Sequence, residues 1–123
     1  MIIAEVKGIY TTEMDRLEDH LPDDPENFSI VVRAMVGPRG EKGEESFDID
    51  ICTPKWLQQY IERERFLFAR HRLFVNTFDV LEITRIVTRF IERCSGASWD
   101  EVAVKVSRLG HWEFEDCPSE RGS

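Results

Sequence analysis

The chain has 123 residues, 41% hydrophobic and 11% aromatic, with 24 acidic against 16 basic residues and a formal net charge of −8. That length and composition suit one domain with a real core and exclude global disorder, while the charge argues against nucleic acid or an anionic membrane as partner, since both are polyanions. No apolar run approaches the ~18–20 residues that span a bilayer, and the start Met1-Ile2-Ile3-Ala4-Glu5 has neither the basic nor the apolar region of a signal peptide.

Ile2 to Tyr10 reads as a first strand. From Thr11 to Asn27 the chain turns acidic, with Glu13, Asp15, Glu18, Asp19, Asp23, Asp24 and Glu26 opposed only by Arg16. Met14, Leu17 and Leu21 are spaced for a short amphipathic helical turn, and Pro22 and Pro25 then enforce a loop. Phe28 to Val36, apolar on both faces, predicts a central second strand. Gly37-Pro38-Arg39-Gly40 and Gly43 mark a turn into a third strand, Glu44 to Cys52, antiparallel to the second.

The sharpest local signal is Cys52-Thr53-Pro54-Lys55-Trp56-Leu57. Before it, Phe47, Ile49 and Ile51 alternate with Ser46, Asp48 and Asp50, the period of a strand with one buried face. After it, Trp56, Leu57, Tyr60 and Ile61 fall at helical spacing. The Thr53 hydroxyl can cap that helix, and Pro54 at its first position loses only an N–H without a partner. The corner thus predicts a helix from Pro54 to about Arg65, with Cys52 a buried thiol and Trp56 locking helix to sheet.

Leu73-Phe74-Val75 predicts a fourth strand. Asp79 to Cys94 is the clearest helix, opened by an Asp79–Glu82 capping pattern and ended by Gly96. Ser98 and Glu101 open a last helix, carrying Trp99, Val102, Ala103, Val106 and Leu109 and closed by Gly110. The expected fold is a single α+β domain over residues 1–116, about four mainly antiparallel strands against two or three helices in the order βββαβαα, with a polar tail at 117–123.

Reactive chemistry is not visible. Cys52, Cys94 and Cys117 are an odd number at wide spacings, which suits reduced thiols in a cytosolic protein rather than a disulfide framework or zinc site. His20, His71 and His111 lack ligand spacing, and His71 lies between Arg70 and Arg72. Asp48 and Asp50 can be a carboxylate pair or simply the solvent face of a sheet. The glycines at 37–43 lack a Walker lysine. The sequence points to no catalytic residue, cofactor or metal. Trp112 and Phe114 alternate with Glu113, Glu115 and Asp116. They can form a short terminal strand packed inward, or an aromatic anchor among carboxylates that seizes a basic partner.

The segments Leu21-Pro22-Asp23-Asp24-Pro25-Glu26-Asn27-Phe28, Gly37-Pro38-Arg39-Gly40, Cys52-Thr53-Pro54-Lys55-Trp56-Leu57, Arg70-His71 before an apolar strand, and Gly110-His111-Trp112-Glu113-Phe114 resemble the immunity protein 8 family of bacterial polymorphic toxin systems. The resemblance spans about residues 2 to 116 and implies a cytosolic antidote that binds a toxin domain, not an enzyme. It carries no site assignment residue by residue. Many such toxins are nucleases, whose phosphate contacts need a basic face. The expected toxin-binding surface therefore draws on Asp15, Glu18, Asp19, Asp23, Asp24 and Glu26, with Glu113, Glu115 and Asp116. The competing readings are a small metal-dependent hydrolase using Asp48, Asp50 and a histidine, and a generic interaction subunit.

Overall fold

Alternating apolar residues set the sheet. In the computed structural model, which describes residues 1–115, β1 (Ile2–Thr11), β2 (Ser29–Pro38) and β3 (Glu45–Cys52) form an antiparallel meander. Val32, Ala34 and Val36 face the same side as Phe47, Ile49 and Ile51, and all six are fully buried. At the β2–β3 turn, a side chain on Gly37 would collide with the Gly43 carbonyl, and Gly43 itself sits at φ +104°, so both positions favour glycine.

Helix α1 (Pro54–Glu64) carries the chain from β3 to β4 (Arg72–Phe74), which pairs parallel to β3 as a crossover requires. Helix α2 (Val80–Glu92) and helix α3 (Trp99–Val106) cover the buried face through Ile83, Val87 and Ile91 and through Val102, Ala103 and Val106. Strand β5 (Ser95–Gly96) pairs with β1, and β6 (His111–Trp112) pairs with β3. The strand order is β4-β3-β2-β1-β5, with β6 beside β3. The free edge of β3 is thus closed by two short strands, β6 at Phe47–Asp48 and β4 at Asp50–Cys52.

The α+β class and the βββαβαα order hold. The sheet has six strands rather than four, because β5 and β6 are two residues long and too short to show a period. Helix α2 ends at Glu92, and Gly96 belongs to β5 rather than terminating the helix. The strand expected over His111 to Glu115 covers only His111–Trp112, with Glu113 to Glu115 in a turn.

Trp56 does not lock α1 to the sheet. No residue of α1 is fully buried, and Trp56 stacks on Tyr60 of the same helix at 5.0 Å. The two rings at i and i+4 shelter one another, while α2 and α3 supply the helical part of the core. Trp112 is the tryptophan that packs inward. It is 8% exposed, stacked on Phe47 at 6.2 Å and edge-on to Phe114 at 5.9 Å.

One carboxylate gathers the last elements. Glu45 Oε1 accepts from the indole N–H of Trp99 at 2.7 Å and of Trp112 at 2.9 Å, joining the starts of β3 and α3 to β6. Hydrogen bonds to a charged acceptor contribute about 1.5–3 kcal/mol each, and stranded indole N–H groups add a penalty. Glu45→Ala should therefore lower stability by about 2–4 kcal/mol and Glu45→Gln by less, measured as the urea midpoint from tryptophan fluorescence. Equal midpoints for Glu45→Ala and wild type would contradict this role.

Candidate functional site

The acidic stretch is a shaped loop. Tyr10 and Arg16 form an isolated bridge, the Thr11 hydroxyl accepts from Asp15 N–H at 3.1 Å, and Leu17, 2% exposed, plugs a 3-10 turn (Leu17–Asp19) into the core. Met14 and Leu21, expected beside Leu17 on one apolar stripe, are exposed instead. Farther on, Asp24 Oδ1 accepts from Glu26 N–H at 2.9 Å, closing an Asx turn. Phe28 then returns to the core, edge-on to Phe78 at 5.3 Å.

The carboxylates of this loop point outward. Asp15 lies 3.7 Å from His20, and Arg16 lies 3.3 Å from Glu18 and 3.9 Å from Asp19. The Glu18 backbone N–H, and then the Arg16 guanidinium, hold the Glu18 carboxyl below its usual value. Asp24 is 3.8 Å from Lys55 of α1. Asp23 and Glu26 have no cation within 4.0 Å among the described residues.

The C-terminal carboxylates behave differently. Glu113 Oε1 accepts from Ser46 N–H at 2.7 Å, fastening the turn after β6 to β3. The Glu115 side chain is 12% exposed and meets Arg70 at 3.0 Å and His71 at 3.3 Å. His71 is itself inward and edge-on to His111 at 5.6 Å. Trp112 is buried, so it offers no exposed anchor among these acids. Asp116 and Cys117 lie outside the described residues. Of the two described C-terminal carboxylates, Glu113 stays exposed and Glu115 is largely covered.

An exposed aromatic stretch lies at the far end of the helix that the loop touches. Asn27 Nδ2 donates to Gln59 Oε1 at 3.0 Å, so the end of the loop touches α1. Just past α1, Phe66 is 65% and Phe68 79% exposed, in edge-on contact at 5.8 Å. The signal is present in Phe66-Leu67-Phe68, two aromatics at period-2 spacing.

The groups weighed for catalysis are engaged elsewhere. Arg33 grips both oxygens of Asp48, at 2.8 and 2.9 Å, and that ion pair raises the Arg33 pKa. Arg72 lies 3.4 Å from Asp50 and also donates to the Phe68 carbonyl. Burial pushes the Cys52 thiol up, and does the same to Cys94 against the pull of Arg108 and Lys105. Among the described residues, no group of three or more His, Cys, Asp or Glu side chains is placed to hold a metal ion, and no helix is long and apolar enough to cross a membrane.

The fold and this surface define a small α+β domain with an anchored acidic loop at one end of α1 and an exposed aromatic pair past the other. The family model of Immunity protein 8 matches residues 4–117 of the 123-residue chain, and the chain belongs to that family. No curated protein and no solved structure matches it.

The buried thiols give a direct test of this packing. Near pH 8, just below the ordinary thiol pKa of about 8.5, iodoacetamide should leave the Cys52 and Cys94 peptides of the folded protein unmodified and label both after urea unfolding, as read by mass spectrometry. Fast labelling of Cys52 in the folded state would show that the strand end is open.

Proposed function

We propose that the chain neutralises a cognate toxin domain of a polymorphic toxin system, and that it does so as a binding protein rather than as an enzyme. Family membership carries this reading. The engagement of Asp48 and Asp50 by arginines supports it over the hydrolase, whose acid and base would need free carboxylates. The partner surface is basic, as the phosphate-binding face of a nuclease is.

The binding surface joins the acidic loop to the aromatic stretch. Asp15, Glu18, Asp19, Asp23, Asp24 and Glu26 supply a field that raises association rates by roughly 10–10³-fold for a basic partner. Phe66 and Phe68 supply rings whose burial slows dissociation, the usual role of aromatic anchors. Helix α1 is about 16 Å long at 1.5 Å per residue, so a standard interface of ~800 Å² per partner spans both ends. Exposed Glu113 can add to this field, while Glu115 is turned toward Arg70 and His71.

Co-expression with the protein encoded next to it should rescue growth and give a co-purifying complex. Failure of both would remove the immunity reading itself. Within the complex, Asp23→Asn/Asp24→Asn/Glu26→Gln should lower the association rate about tenfold at low salt, with the deficit closing as the Debye length shrinks toward ~3 Å near 1 M salt. Phe66→Ala/Phe68→Ala should raise the dissociation rate about tenfold and leave association unchanged. Wild-type kinetics in both variants would move the surface elsewhere while leaving the immunity role standing.

A further inference from the structure

The opposite charge is concentrated in one place. Five of the chain's 16 Lys and Arg residues, Arg85, Arg89, Arg93, Lys105 and Arg108, line a single groove of about 440 Å³ between α2 and α3. Its apolar floor is Ile86, Phe90 and Cys94, with Phe90 40% exposed. Lys105 is held by the Ser95 carbonyl at 2.6 Å and lies 3.9 Å from Glu101. None of the four arginines has a carboxylate within 4.0 Å among the described residues. Glu92, on the same helix, accepts from Val6 N–H on β1 through Oε2 and pairs with none of them.

Stability does not explain this arrangement. Arg85, Arg89 and Arg93 repeat at i, i+4 and i+8, a spacing at which like charges repel. Helix dipoles favour a cation near each C-terminus. They do not call for four unpaired guanidinium groups around an exposed ring. The ladder is about 12 Å long, with rungs about 6 Å apart.

We propose that this groove binds an acidic segment of a protein, one in which an apolar side chain lies between carboxylates. Guanidinium forks match carboxylates in bidentate pairs, and the Ile86–Phe90 floor receives the apolar side chain. A nucleic acid strand suits the site less well. It would run past the groove onto a surface that carries the chain's excess of 24 acidic residues over 16 basic ones. The site is separate from the acidic loop and does not rest on the toxin reading.

The test is fluorescence anisotropy with a labelled Glu-Glu-Leu-Glu-Glu-Leu-Glu-Glu peptide in low salt. Its counterpart with Gln for Glu, an all-Glu peptide and a single-stranded oligothymidylate serve as comparison probes. The Glu/Leu peptide should bind, the Gln/Leu peptide should not, and the all-Glu peptide should bind several-fold more weakly. Arg89→Glu/Arg93→Glu should weaken binding about tenfold or more, and Phe90→Ala several-fold. Asp23→Asn/Asp24→Asn, which changes net charge by two units outside the groove's lining, should leave it near the wild-type value. Circular dichroism checks folding, and Arg89→Gln/Arg93→Gln replaces the reversal if that variant does not fold. Absence of peptide binding, equal affinity in the arginine variants, or tighter binding of the oligothymidylate would each overturn the proposal.

Discussion

The hydroxyl of Thr53 is the contact on which the start of α1 and the end of the acidic loop both depend. Fully buried, it accepts from Trp56 N–H and from Phe28 N–H, each at 3.3 Å, while Thr53 N–H donates to the Phe28 carbonyl at 3.2 Å. One oxygen therefore starts α1 and pins the end of the acidic loop. The next links follow at once. Phe28 packs edge-on against Phe78, whose N–H donates to the Pro25 carbonyl at 2.7 Å. The loop is clamped between the β3–α1 corner and the start of α2, so its carboxylates sit on a fixed frame. A fixed frame matters because ordering a loop on binding costs free energy that a preformed one does not lose.

The corner was legible because everything it needs lies within a few residues: a strand period, a capping threonine, a proline at the first helical position and a helical period. The second hydrogen bond to Thr53 was not legible, since Phe28 is 25 positions away. Glu45 was missed for the same reason, because its indole partners lie 54 and 67 positions on. Glu115 shows the same limit from the other side. In sequence it belongs to an acidic run, but the turn after β6 aims it at Arg70 and His71. Local pattern fixes which element forms and where it starts. It does not reveal which of several like charges the fold turns inward.

Net charge hides a segregation of charge. The value of −8 describes the chain as a whole, yet the loop beside α1 is acidic while the α2–α3 groove is basic. Mixing the two would have neutralised both by ion pairs. Keeping them apart leaves each with a local field, and in water such fields reach about 8–10 Å at physiological salt. Each face is therefore read by whatever approaches it, and not by the total. An acidic composition argues against an extended polyanion as partner but says nothing against a short anionic segment that meets only the groove.

The position of α1 follows from how β3 is closed. Strands β6 and β4 occupy its edge in tandem, and α2 and α3 fill the buried face, so α1 is left without a core to enter. It survives on local devices: the Thr53 cap, Pro54 at the first position, the Trp56–Tyr60 stack and the Arg63 guanidinium 5.3 Å from the Tyr60 ring. It ends on Arg65 at φ +82°, a conformation that glycine would adopt more readily. A helix held this way is ordered yet keeps its apolar side chains near the surface. That combination suits recognition, since the rings are already positioned and their burial against a partner adds to affinity instead of being spent on folding.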